Sequence, residues 1–275
     1  MKLLILLALV FLETCAGQMY GGKQAKDGQF PFAVQIRKLD CSGTCLCGGA
    51  IVAPHWVITA AHCVQPNNTI QPVAIVAGDR WKVPKGEIPR VEIGAEKLRV
   101  YPHPEFDADN IKLRWYDVAL IFVRDPFTSD PKVKMIGFGS DHGVRNGQEC
   151  TVMGWGLSRI NWRTQEVKRR SNVLRHGKLN ITKIGQKFIH FGDMDRVTGP
   201  YLLWGDSGSP LVCKDAKDRK QRLFGWQKGV RVPSNDAVYV NYHHLKDWIR
   251  KTQADVEIEN KDKFQKDRKL DEYSV

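Results

Sequence analysis

Beyond residue 12 the chain has no apolar run long enough to cross a bilayer, which excludes a multi-span membrane protein. It has no internal repeat at a period of 20–50 residues, which excludes a solenoid or a propeller. Acidic residues are in short supply, with 30 Asp and Glu against 42 Lys and Arg, a net charge of +12. Such a surplus favours anionic partners and says nothing about fold. What is present is the composition of a folded domain rather than a disordered or collagen-like one: 42% of the 275 residues are hydrophobic and 26% charged. That length allows one large domain or two small ones, each able to bury a core.

Met1 and Lys2 precede the apolar run Leu3 to Leu12, and small residues follow at Ala16 and Gly17. Ten apolar residues suit the core of a secretory signal, so residues 1–17 are read as a signal peptide and the chain as secreted or held in a vesicle, with no membrane anchor. Cys15 then leaves with the signal. Cys41, Cys45, Cys47, Cys63, Cys150 and Cys213 remain, which allows up to three disulfides in an oxidising compartment. His62 beside this cluster also admits a zinc reading, which the secretory context and the lack of a regular paired spacing disfavour. Asn67-Asn68-Thr69 and Asn180-Ile181-Thr182 are N-glycosylation sequons.

From Phe32 onward, short β-branched and aromatic runs such as Ala33–Ile36, Trp56–Ile58, Val118–Val123 and Ala237–Val240 alternate with turn residues, the pattern of an all-β sandwich or barrel. The best helical stretch is His244 to Thr252, where Leu245, Trp248 and Ile249 share a face. Residues 255–275 hold seven acidic and five basic side chains and little apolar material. The segment 253–275 is therefore a charged tail, either mobile or an extension of that helix. Basic clusters lie at 168–170, at 175–178 and from Lys214 through Arg222. They are solvated loops or a site for a sulfated glycan or other polyanion. Nucleic acid is not expected, because no aromatic platform accompanies the charge.

Three segments carry chemistry: Ile58-Thr-Ala-Ala-His-Cys63, Tyr116-Asp-Val-Ala-Leu-Ile121 and Gly205-Asp-Ser-Gly-Ser-Pro210. A serine hydroxyl is a weak nucleophile and needs a base to take its proton. Imidazole titrates near neutrality, and a carboxylate can fix its tautomer and stabilise the imidazolium. A glycine two residues before the serine lets backbone N–H groups reach a developing oxyanion.

In this order the three segments resemble the chymotrypsin–trypsin family of serine endopeptidases, over about Met19 to Thr252. The resemblance implies two six-stranded antiparallel β-barrels with a C-terminal helix, in a domain taken as residues 18–252. His62 would be the general base, Asp117 its orienting carboxylate and Ser207 the nucleophile. The N–H groups of Gly205 and Ser207 would form the oxyanion hole. Cys47–Cys63 and Cys150–Cys213 would pair as in the family, leaving Cys41–Cys45 as an extra local bridge. No metal or organic cofactor is implied, and the substrate would be a polypeptide.

The chain also departs from the family. Tyr201 stands where trypsin-like members carry an acid, so cleavage after Lys or Arg is not expected. Ungapped matching gives Gln227 and Ala237 as pocket walls, where side chains would narrow the slot. Leu203 and Val230 replace the pocket disulfide, and Gly225 replaces a serine near the triad carboxylate. Met19-Tyr20-Gly21-Gly22 stands where the activated N-terminus begins, its amine expected to pair with Asp206. No Lys or Arg precedes Met19, so tryptic activation is not expected. The alternative to a protease is a non-catalytic family member, a binding or adaptor protein on a polyanionic surface.

Overall fold

The computed structural model describes residues 22–39, 46–82, 90–110, 114–127, 130–161, 166–192, 206–231 and 236–272. Runs of β-branched and aromatic residues become strands because they bury well on a pleated surface. They assemble into two curled antiparallel sheets, followed by one long C-terminal helix. The first sheet has seven strands in the order Val91–Ile93, Val73–Ala77, Ala33–Lys38, Leu46–Ala53, Trp56–Thr59, Ala119–Val123, Leu98–Pro102. The second has eight, in the order Lys23–Gln24, Arg175–Asn180, Glu149–Gly154, Pro210–Lys214, Gln221–Arg231, Asp236–Asn241, Phe188–Phe191, Lys183–Ile184. The surplus over six per sheet comes from edge strands of only two or three residues: Val91–Ile93, Lys23–Gln24 and Lys183–Ile184. A separate hairpin joins Leu157–Asn161 to Glu166–Arg170.

The sheets share a core. Trp56, Ile58 and Leu120 of the first sheet belong to one buried cluster with Met153, Val212, Trp226 and Val240 of the second. Each fully buried aliphatic side chain there contributes about 1.5–3 kcal/mol. The seam between the sheets is therefore apolar packing, and it holds fixed whatever is mounted on either rim. A second cluster lies within the second sheet, around Val152, Phe191, Leu211, Phe224 and Tyr239.

The C-terminal helix spans Tyr242–Glu272. Over residues 242–260 its buried residues are Tyr242, Leu245, Ile249 and Val256, and their spacings of three, four and seven place them on one face. Of the two alternatives for the charged tail, the backbone takes the second and continues the helix through residue 252 without a break. Two acidic side chains beyond that point, Glu257 and Glu259, reach back to the first sheet. Trp56 Nε1 donates to Glu257 Oε1 at 3.3 Å, and Arg99 pairs with Glu259 at 3.5 Å.

Candidate active site

The short helix Ala61–Val64 follows the buried strand Trp56–Thr59 and carries His62. Its first residues are fixed by tertiary contacts rather than by a side-chain cap, since Ala60 supplies none. The His62 backbone N–H donates to Asp117 Oδ1 at 2.9 Å, and ring Nδ1 lies 2.8 Å from Asp117 Oδ2. One carboxylate thus holds both the backbone and the ring of the same residue. With its Nδ1–H given to Asp117, the neutral imidazole carries no proton on Nε2, the tautomer a general base requires.

Burial decides the electrostatics. The His62 side chain is 34% exposed and that of Asp117 only 4%. Desolvation alone would push the Asp117 carboxyl up. The His62 charge and its two hydrogen bonds, with a smaller contribution from the Lys228 charge, outweigh that and hold it below its ordinary 3.8. Trp226, wholly buried, donates its Nε1–H to the Asp117 backbone carbonyl at 2.8 Å, so the second sheet grips the residue from behind.

The segment bearing Ser207 packs against the same region. Gly48 N–H donates to the Ser207 carbonyl at 2.8 Å, and Thr59 Oγ1 donates to the Gly48 carbonyl at 2.8 Å. Gly208 has φ +78°, and a Cβ there would meet Thr59 Oγ1 at 2.3 Å, the Gly48 carbonyl at 2.4 Å and Ala60 N at 3.2 Å. Only glycine satisfies both the left-handed backbone and this approach. Gly208 is thereby pressed against Thr59 and Ala60, three and two positions before His62. Ser207 itself is partly exposed.

Asp206 is buried, and its Oδ1 accepts the Gly156 N–H at 2.7 Å. A Cβ on Gly154 would lie 1.9 Å from its carboxylate, and one on Gly156 2.7 Å. The Gly154-Trp155-Gly156 motif is therefore a cradle for this acid. Tyr239 lies close enough that burial, and then the Asp206 charge, push its hydroxyl well above its ordinary 10.0.

Of the expected pocket positions, Gln227 and Ala237 are among the described residues. Gln227 is 1% exposed, and its backbone is tied to Gly208 and Ser209 by bonds of 2.8 and 2.9 Å. In the register of the second sheet Gln227 lies opposite Tyr239. An irregularity follows, Gly229 lies opposite Val238, and it is Val230 that lies opposite Ala237. This bulge shifts the residues after Gln227 along their partner strand and leaves Gln227 itself in regular register. Gly225 sits deeper still, where a Cβ would come 2.2 Å from the Val240 carbonyl. Tyr201, Leu203, Gly205 and Met19 lie outside the described residues, as do Cys41 and Cys45.

The disulfides Cys47–Cys63 and Cys150–Cys213 are both formed. The second joins directly paired residues of neighbouring strands. The first disposes of the zinc reading. Cys47, His62 and Cys63 do converge, with His62 Nε2 3.8 Å from Cys63 Sγ, but both sulfurs are bonded to each other and offer no thiolate. Three contacts escaped sequence reasoning: the Trp226 bond to Asp117, the charge of Lys228 beside it, and the bond from His62's own backbone. Only the Gly-Trp-Gly motif left a visible trace, and its purpose appears only with Asp206 in place.

The Trypsin family profile matches residues 19–249. Human kallikrein-8 (Homo sapiens) is 31% identical over 214 residues, covering 75% of this chain and 76% of the relative. Serine protease 56 of Mus musculus is 29% identical over 250 residues, 85% of this chain and 38% of that protein. Ovochymase of Halocynthia roretzi is 26% identical over 249 residues, 86% of this chain and 15% of that protein. Among the described residues no helix is long and apolar enough to cross a membrane.

Proposed function

Because the chain belongs to the trypsin family of serine proteases, we propose that it is a serine endopeptidase in which His62, Asp117 and Ser207 act together on a polypeptide. The observation that carries this reading is the double grip of Asp117 on His62, which makes Nε2 the ring nitrogen without a proton. In the first half-reaction Ser207 Oγ adds to the scissile carbonyl carbon and His62 Nε2 takes its proton. The oxyanion of the tetrahedral intermediate is received by the N–H groups of Gly205 and Ser207. Collapse breaks the C–N bond, and His62 returns the proton to the leaving amine. Water then replaces the amine and the same steps run in reverse, releasing the acid and Ser207.

Specificity follows the pocket residues. With Tyr201 at the pocket base and side chains at Gln227 and Ala237 on its walls, the primary pocket is small or occluded and does not accept Lys or Arg. Secretion after removal of residues 1–17, with glycans on Asn67 and Asn180, fits the two formed disulfides and the exposure of both asparagines. A mature chain trimmed to Met19 would let its amine reach Asp206. A chain left longer, or closed by cyclisation of Gln18, would keep the zymogen-like arrangement.

Labelling of the secreted protein with an organophosphorus fluoride tests the reading. Modification of Ser207 that is abolished in His62→Ala is expected. Unmodified Ser207 in folded protein whose N-terminus is Met19 would overturn it in favour of a non-catalytic binding protein.

A further inference from the structure

The turn between the strands Pro210–Lys214 and Gln221–Arg231 holds the densest run of charge in the described part of the second sheet. By composition the run is mixed, since Asp215 and Asp218 sit among its cations. The fold separates the two signs. Asp215 is 2% exposed and turned inward. Its oxygens accept Ser140 N–H and O–H at 2.6 and 2.7 Å and Lys217 N–H at 2.8 Å, so it serves as the internal peg of the turn. Asp218 is engaged by Arg222, whose Nε lies 3.0 Å away, and by the Lys220 backbone N–H at 2.9 Å.

Lys214, Lys217, Arg219 and Lys220 are left exposed, with no ion pair to any described residue. Arg145 joins them. Its backbone N–H bonds Gln148 Oε1 at 3.2 Å, and Gln148 Nε2 bonds the Lys214 carbonyl at 2.8 Å, which fastens one turn to the other. Arg219 adds a second, independent sign. Four non-glycine residues among those described have positive φ. Three are Asn67, Asn68 and His142, types that tolerate this region, and the fourth is Arg219 at 62°. A long cationic side chain is kept where Gly or Asn would fit without strain.

We propose that this turn, with Arg145, is a binding surface for a sulfated glycosaminoglycan. Five cations on a rigid double turn suit closely spaced sulfates, which need charge and little shape. Single-stranded nucleic acid is the poorer match, because residues 214–222 contain no aromatic ring on which a base could stack. The two disulfides fit an oxidising compartment, such as the one in which sulfated glycans are met. The five-residue strand Pro210–Lys214 leads from the segment bearing Ser207 to this turn, a rise of about 16 Å along the strand. Bound glycan would therefore tether the protein without covering the cleft, and the proposal does not depend on hydrolysis.

The test is binding of a fluorescent heparin oligosaccharide across a salt series. It compares wild type, K214Q/K217Q/R219N/K220Q, and a control of equal charge change made elsewhere, K23Q/K26Q/R124Q/K134Q. Melting curves confirm that each variant is folded. The turn variant should bind at least about tenfold more weakly at 0.15 M salt. Its slope of log Kd against log salt should fall by roughly 3, about 0.7 for each lost contact with a flexible polyanion. The control should stay within about twofold of wild type. Equal losses in both variants, or no heparin binding by wild type, would overturn the proposal. Binding of oligo-dT through the same residues as tightly as heparin would overturn the choice of ligand. Labelling of Ser207, measured on the same three proteins, reports the catalytic reading separately.

Discussion

Replacing Asp117 by Asn keeps the shape of the side chain and removes one acceptor. At present Oδ1 receives the His62 backbone N–H at 2.9 Å and Oδ2 faces ring Nδ1 at 2.8 Å. The backbone N–H cannot change its character, so the amide oxygen of Asn must take that position and its NH2 must face the ring. The ring answers by carrying its proton on Nε2 and accepting at Nδ1, and in that tautomer it cannot take a proton from Ser207. Returning to the reactive tautomer sets two donors against each other in a buried site. The charge-assisted bond lost is worth about 1.5–3 kcal/mol, and the unsatisfied buried donor costs a further 1–3 kcal/mol or so. The sum, roughly 2.5–6 kcal/mol, corresponds to a rate loss of about 10²–10⁴. The upper end agrees with the effect known for this substitution in the family, roughly 10⁴-fold. Stability should change far less, because the variant no longer buries a charge. The assay is the pseudo-first-order rate of Ser207 phosphonylation, with thermal melting on the same samples. A rate within tenfold of wild type in a fully folded variant would refute the role given to the carboxylate.

Four further outcomes follow from the same contacts. Gly208→Ala should destabilise by about 2–5 kcal/mol, from a left-handed backbone and an overpacked Cβ together; Gly28→Ala, with φ +67° and open space around it, should cost only the first of these, and equal denaturation midpoints would refute the packing argument. Trp226→Phe should cost about 1 kcal/mol or more by leaving the Asp117 carbonyl without its donor, and should slow Ser207 labelling; an unchanged rate would show that this grip does not position the carboxylate. Loss of the Cys47–Cys63 bridge, with a separation of 16 residues, should cost about 3 kcal/mol in chemical denaturation, and a loss under 1 kcal/mol would contradict it. Burial, reinforced by His244 and opposed by Glu105, holds His103 at a pKa of about 4, and its neutral Nδ1 accepts the Glu105 N–H at 3.1 Å. The native state then binds fewer protons than the unfolded chain, so its contribution is complete above pH 6.5 and declines toward pH 4 by up to about 1.4 kcal/mol per unit. His103→Gln should flatten this slope in denaturant titrations between pH 4.5 and 7, and identical slopes would show that another group is responsible.

The site was legible in part for a chemical reason. His62, Asp117 and Ser207 stand in short segments whose residue types are dictated locally, by a disulfide partner, a buried strand and a glycine turn. Local dictation survives in a single sequence. Val230 shows the opposite case. Its pairing with Ala237 depends on an irregularity that begins after Gln227, and nothing in the residues from Trp226 to Val230 announces it. The same holds for Lys228, whose charge bears on Asp117 only because Trp226 has already been drawn into the core.

The chain itself determined which chemistry was available and that short strands would carry it, because residue type and spacing are properties of the polymer. The charge surplus, the cysteine count and the glycines around Ser207 belong to that class. Folding decided which of those residues meet. A bulge after Gln227 set Val230 rather than Gly229 opposite Ala237, and the Cys47–Cys63 bond turned a candidate zinc cluster into a staple. Desolvation made one carboxylate, Asp117, govern a whole histidine, and the inward turn of Asp215 left its neighbouring cations exposed. Each of these outcomes rests on the distance between residues far apart in the chain and on the water excluded between them, and both quantities exist only once the two sheets have closed on their common core.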